Sequence, residues 1–120
     1  MHVMVVDDSS AMRMLVKKNL KDMGIDPHDI MEAEDGAKAL EKIKSAKPDL
    51  VVSDWNMPNM SGLELLLALN TEGIRLKFGF VTTEATQEMR QKAMDAGARF
   101  LITKPFTADS FAQGLRAVLK

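Results

Sequence analysis

Five short apolar runs punctuate the chain, at Val3–Val6, Ile30–Met31, Leu50–Val52, Phe78–Val81 and Phe100–Ile102, and every gap between them is long enough to hold a helix. Helical spacing fills those gaps. Within Ala11–Met23, the residues Met12, Leu15, Val16, Leu20 and Met23 stand at i, i+3, i+4, i+8 and i+11, one face of an amphipathic helix that Gly24 is placed to stop. Asp35-Gly36 opens a second helix that runs to about Ser45. Ser61-Gly62-Leu63-Glu64 spells a capping box for a third, because hydroxyl and carboxylate can each satisfy the other's orphan amide. Thr86 and Thr107 are N-caps for the fourth and fifth, and Phe111, Leu115, Val118 and Leu119 give the last its apolar face.

Strands alternating with helices imply a parallel sheet, since a parallel crossover needs a dozen or more residues and is usually helical. The strands are apolar on consecutive residues, which predicts burial on both faces and helices on both sides. Right-handed crossovers then favour a flavodoxin-like (βα)5 fold, a five-stranded sheet of order 2-1-3-4-5. In such a sheet ligands meet the carboxyl ends of the strands, at the switch point between strands 1 and 3.

Composition narrows the function classes. The 120 residues carry a net charge of −1, without the basic excess that would make nucleic acid the expected partner. No apolar run approaches the roughly 20 residues of a membrane span, and Met1-His2-Val3-Met4 does not open a secretory signal. A cytoplasmic, monomeric protein is expected, a single domain over residues 1–120 with no output domain. There is no cysteine, hence no disulfide.

Asp7 and Asp8 end the first strand and Asp54 ends the third, so three carboxylates converge on the switch point. At about 5 Å and an effective dielectric near 20, each pair repels by about 3 kcal/mol. A hard cation answers that repulsion, and few carboxylates plus water suit Mg²⁺. Helix capping alone would need one acceptor, which Ser9 or Ser10 already supplies. Thr82 and Lys104 follow strands 4 and 5, and a hydroxyl and an ammonium facing a carboxylate–Mg²⁺ cluster form a cradle for a phosphoryl group.

These residues carry a resemblance. Val5-Val6-Asp7-Asp8-Ser9, Glu32-Ala33-Glu34-Asp35-Gly36, Ser53-Asp54-Trp55-Asn56-Met57-Pro58, Ser61-Gly62-Leu63-Glu64-Leu65, Val81-Thr82, Ala96-Gly97-Ala98 and Lys104-Pro105-Phe106-Thr107 together resemble the receiver domain of two-component response regulators. The likeness is greatest to the stand-alone chemotaxis regulators of the CheY type. It implies that Asp54 is the phosphoacceptor, that Asp8 binds Mg²⁺ directly and Asp7 mainly through water, and that the Asn56 backbone carbonyl is a further ligand. It assigns Thr82 and Lys104 to the phosphoryl oxygens, makes Asn56 and Glu84 modulators of the attacking water, and makes Lys104-Pro105 a cis peptide.

Departures from the family pattern are specific. Leu101 stands where Tyr or Phe is usual as the switch residue, with Phe100 beside it. Thr83 replaces a small residue and crowds the approach to the acyl phosphate. Gly79, inside Lys77-Phe78-Gly79-Phe80, points to close packing or a bulge. His2 and His28 are expected on the surface and Trp55 as a partly exposed neighbour of the acceptor. The ten methionines are expected to fill core gaps, with Met57 and Met60 near the site.

The resulting expectation is a response regulator, not an enzyme acting on other molecules. It accepts a phosphoryl group from a histidine kinase on Asp54 with Mg²⁺, catalyses its own dephosphorylation, and signals by binding a downstream protein target, a motor component or a phosphatase, in chemotaxis or motility. Neither nucleic acid nor membrane is an expected partner. The rival readings are a phosphorylation-independent receiver-like adaptor and an aspartate-nucleophile phosphohydrolase. The latter would use Asp-x-Asp, where this chain has Asp7-Asp8-Ser9.

Overall fold

Runs of Val, Leu, Ile and Phe form strands wherever both faces can be covered, and all five predicted strands do so. The computed structural model describes residues 1–119. Its elements are β1 (Val3–Val6), α1 (Ser10–Asp22), a 3-10 turn at Pro27–Asp29, β2 (Ile30–Ala33), α2 (Gly36–Ala46), β3 (Leu50–Ser53), α3 (Gly62–Thr71), β4 (Lys77–Thr82), α4 (Gln87–Asp95), β5 (Phe100–Thr103) and α5 (Ala108–Leu115). The sheet is parallel with order β2-β1-β3-β4-β5, as the alternation requires. The predicted caps form: Ser9 accepts from the Met12 N–H, Thr86 from Met89, Thr107 from Ser110, and Ser61 and Glu64 close their capping box.

Alternation along the strands divides the core in two. Met4, Val6, Val51, Phe78 and Phe80 face Ile43, Leu65, Leu69 and Ala93, under α2, α3 and α4. Val3, Val5, Val52, Val81, Phe100 and Ile102 face Val16, Leu20, Phe111 and Leu115, under α1 and α5. Fully burying a side chain of this size is worth about 1.5–3 kcal/mol. Gly79 resolves as close packing rather than a bulge: the ladder stays in register on both sides, and the Phe100 ring lies across it. A Cβ there would sit 2.2 Å from that ring.

Four expectations are corrected. Trp55 is 9% exposed, a core residue, because the chain after β3 turns back over the sheet and seats the indole against Phe80, with ring centroids 4.7 Å apart. Of the methionines only Met4 is fully buried; Met14 and Met94 are 71% and 48% exposed, and the others that touch the core lie at its edges. On α1 the inward stripe is Met12, Val16, Asn19, Leu20 and Met23, which leaves Leu15 on the solvent flank. Finally, β2 is buried only at Ala33, because an edge strand has no neighbour and Glu32 instead meets Arg13 and Lys17.

Candidate functional site

Register brings the carboxylates together. Val6 pairs with Ala33 on one side and Ser53 on the other. The ladder continues one residue further, with the Asp7 N–H donating to Ala33 and the Asp54 N–H donating to Val6 at 2.8 Å. Asp7 and Asp54 therefore leave neighbouring strands at the same level, with Asp8 next along. Carboxylate oxygens of Asp7, Asp8 and Asp54 lie within 4.8 Å of one another. Asp7 is buried, Asp54 half-buried and Asp8 exposed, so the cluster opens to solvent on the Asp8 side.

The surrounding hydrogen bonds fix each carboxylate. Asp7 Oδ1 accepts the Ser9 N–H at 2.9 Å, and Asp54 Oδ1 accepts the Trp55 N–H at 2.7 Å. Lys104 Nζ lies 3.0 Å from Asp7 Oδ2 and 3.4 Å from Asp54 Oδ2, with little exposure. Its backbone is held by donation to the Thr82 carbonyl at 2.8 Å, and the Lys104-Pro105 bond is cis. Thr82 is fully buried, its hydroxyl accepting the Glu84 N–H at 3.4 Å. Gly62 lets α3 approach Asp54: a Cβ there would meet the Asp54 carbonyl at 2.1 Å.

One ammonium cannot neutralise three carboxylates. Burial pushes the Asp54 carboxyl above its ordinary value and Asp7 adds to that push, while Lys104 and the Trp55 N–H pull the other way. A site of three crowded carboxylates, all oxygen donors and open on one side, fits a hard divalent cation such as Mg²⁺. Asp7, Asp8 and Asp54 are the side chains able to hold it.

The remaining predicted residues separate by position. Asn56 and Glu84 are exposed in the loops after β3 and β4, and Thr83 is exposed beside Thr82. Leu101 is half-buried on the α2–α3–α4 side of the sheet and pairs in register with Phe80. Phe100 does not join it. Strand alternation sends Phe100 to the α1–α5 side, 5% exposed and pinned across Gly79. Met57 and Met60 are half-buried near the site, and His2 and His28 lie on the surface as expected.

Two residues gain roles that no sequence signal marks. Arg13 Nη1 donates to the Asp7 carbonyl at 2.6 Å while its Nε donates to Glu32 at 3.0 Å, which ties the end of β1 to β2. Asn59, in the left-handed region at φ 68°, donates its amide to Asp35 Oδ2 at 3.0 Å. Asp35 also caps α2 through the Lys38 N–H, so the loop after Asp54 is latched to that helix. Those two bonds hold the Asp35 carboxyl below its usual range, the Lys38 N–H contributing most.

With this geometry established, known proteins give it a context. The "Response regulator receiver domain" family matches residues 3–116. The chemotaxis protein CheY-3 of Vibrio cholerae is 38% identical over 122 residues, covering 100% of this chain and 92% of its own. The chemotaxis protein CheY of Pseudomonas aeruginosa is 37% identical, with 100% and 97% covered. The solved structure of V. cholerae CheY4 superposes with a TM-score of 0.86 at 33% identity, covering 98% of this chain and 97% of that one. The receiver domain of Francisella response regulator 1452 gives 0.85 at 28% identity, with 98% and 93% covered. The sheet order, the carboxylate cluster and these full-length likenesses agree, and the chain belongs to the response regulator receiver family, among its CheY-like members.

Proposed function

We propose that this protein is a phosphorylation-dependent signalling switch in which Asp54 receives a phosphoryl group from a histidine kinase. One observation carries the reading: three carboxylates converge within 4.8 Å, with the Lys104 ammonium 3.4 Å from the half-buried Asp54. Asp54 is suited to be the nucleophile because one of its oxygens is oriented by the Trp55 N–H while the other faces Lys104. Its carboxylate oxygen would form a bond to phosphorus as the phosphorus–nitrogen bond of phosphohistidine breaks. Mg²⁺, held by Asp7, Asp8, Asp54 and the Asn56 backbone carbonyl, would neutralise charge on the transferring oxygens. Catalysis is then positioning and charge stabilisation, with Lys104 and Thr82 cradling the new phosphoryl group. Water entering past Asn56, Thr83 and Glu84 would reverse the modification.

The output surface under this reading is α4, β5 and α5, because Thr82 and Lys104 anchor the strand ends on that side. Leu101 offers less area than an aromatic residue and no hydroxyl, so movement of the loop 82–85 supplies the larger share of the change, with Leu101 repacking behind it. A few kcal/mol of differential affinity for a protein target suffices to shift the populations usefully. The names of the CheY relatives point to chemotaxis as the setting. Exposure to acetyl phosphate with Mg²⁺ should add one phosphoryl mass to the intact protein, and chelation of Mg²⁺ should prevent it. A protein that gains no mass, and whose partner binding ignores acetyl phosphate, would be an adaptor instead.

A further inference from the structure

At the amino-terminal ends of the strands, opposite the carboxylate cluster, α2, α3 and α4 end around a cavity of about 1150 Å³. Half-buried Ile74 and Leu76 contribute apolar surface to it, above buried Ile43 and Leu69. Among the described residues the charged lining is one-sided: Lys44, Lys47, Arg75, Lys77 and Arg99 against a single carboxylate, Asp49, in a chain of net charge −1. Asp49 already accepts the His2 N–H at 2.8 Å, Lys44 pairs with Glu72 at 2.9 Å, and Lys77 donates to the Val118 carbonyl at 2.9 Å. Lys47, Arg75 and Arg99 have no ion-pair partner among the described residues.

Helix dipoles attract some positive charge to such an end. Lys44 in the last turn of α2 and Lys92 in that of α4 answer part of that demand and α3 has no basic residue in its last turn, whereas Arg75 and Arg99 lie beyond the helices, on the approaches to β4 and β5. The backbone supplies a second observation. All three helices are followed by a left-handed residue at this mouth: Lys47 at φ 48°, Gly73 at φ 71° and Gly97 at φ 99°. Glycine is the ordinary occupant because a Cβ is penalised there. Two of the three termini have it, and the third holds a lysine in the same strained conformation.

We propose that this groove receives an acidic segment of a partner protein, with carboxylates on Lys47, Arg75 and Arg99 and apolar side chains on Ile74 and Leu76. Its volume exceeds the roughly 300–1,000 Å³ that small ligands fill. The unpaired cations are exposed and spread around the mouth, a pattern that matches carboxylates spaced along a chain better than one compact anion. Because the groove lies at the opposite end of the strands from Asp54, a partner can occupy it while the carboxylate cluster stays open.

The test titrates the full ¹⁵N-labelled chain with a short peptide of alternating leucine and glutamate, with pyrophosphate and single-stranded DNA as parallel probes. Shifts should be confined to residues 43–49, 69–77 and 96–99. Combined Lys47→Glu, Arg75→Glu and Arg99→Glu should weaken the peptide about tenfold, as expected for three exposed ion pairs, without altering the circular dichroism spectrum. Lys47→Gly, which relieves the left-handed strain, should raise the thermal midpoint by a few degrees while weakening the peptide about twofold. Absence of peptide binding, shifts outside the mouth, or an affinity that survives charge reversal overturns the proposal. Equal shifts with pyrophosphate or DNA overturn it too, because they would mark a general polyanion site. None of these outcomes depends on phosphorylation of Asp54.

Discussion

The two ends of the sheet are built on opposite terms. Of the five buried polar residues among those described, four, Asp7, Asp35, Ser53 and Thr82, lie at the carboxyl ends of the strands or in the loops just beyond, where two further carboxylates, Asp8 and Asp54, crowd Asp7. At the amino end the polar groups are exposed cations around helix termini closed by left-handed residues. Apolar burial common to both ends holds the sheet together, and the carboxyl end draws on that stability to keep charges close and half-desolvated. The difference teaches how each end is stabilised: the carboxyl end holds a carboxylate that burial disfavours, whereas the amino end leaves its unpaired cations in solvent.

The largest effect should come from Asp54→Asn, which leaves the shape nearly unchanged but removes the proposed nucleophile. Intact mass after acetyl phosphate treatment should show no gain. The same variant should be more stable than the parent in a chelator at neutral pH. The sign follows from the raised Asp54 carboxyl: as pH rises past the ordinary carboxyl value, the unfolded chain releases this proton first, and the folded state loses stability until Asp54 itself ionises. Thermal midpoints of both proteins across that range check it. A variant less stable than its parent would mean that Asp54 is comfortable as a carboxylate.

Lys104→Ala should be next, because it leaves Asp7 and Asp54 without their shared cation. Removing one partner of a buried pair destabilises by about 3–5 kcal/mol, a range that partial exposure of Asp54 places at its lower end here. Urea unfolding in chelator gives the number, and added Mg²⁺ should recover part of it. Phosphorylation should persist more slowly, while the gain in partner affinity shrinks, and Thr82→Ala should share that signalling defect with a smaller loss of stability. At the middle of the sheet, Gly79→Ala forces a Cβ into the Phe100 ring and should cost about 1–3 kcal/mol by overpacking. The smallest effect belongs to Asp35→Ala, about 1 kcal/mol for a lost N-cap. Since the folded Asp35 carboxyl titrates below its ordinary value, this contribution is present at neutral pH and fades as pH falls through that lowered value.

The legibility of these ends in the sequence differs as well. Strands and helices follow from consecutive apolar runs, caps and glycines, and the acidic trio follows from its placement after strands 1 and 3. Burial of individual side chains does not follow so directly. Trp55 is covered only because the loop after β3 folds back over Phe80, and Leu15 is exposed because α1 turns Asn19 inward. Leu101 and Phe100 look equivalent as neighbours in sequence, yet alternation puts them on opposite faces of the sheet. Arg13 reaches the Asp7 carbonyl across one turn of α1, a contact that depends on helix orientation and leaves no mark in spacing. The cationic mouth is likewise assembled from separate segments, after α2, α3 and α4, and exists only once the helices are docked.

The central claim is that Asp54, and no other carboxylate of the cluster, carries the phosphoryl group. Borohydride reduction of the acetyl phosphate-treated, Mg²⁺-loaded protein converts an aspartyl phosphate to homoserine, and peptide mass spectrometry then places it. The account predicts homoserine at position 54 alone, dependent on Mg²⁺. Homoserine at Asp7 or Asp8, or full modification in the presence of chelator, would contradict it.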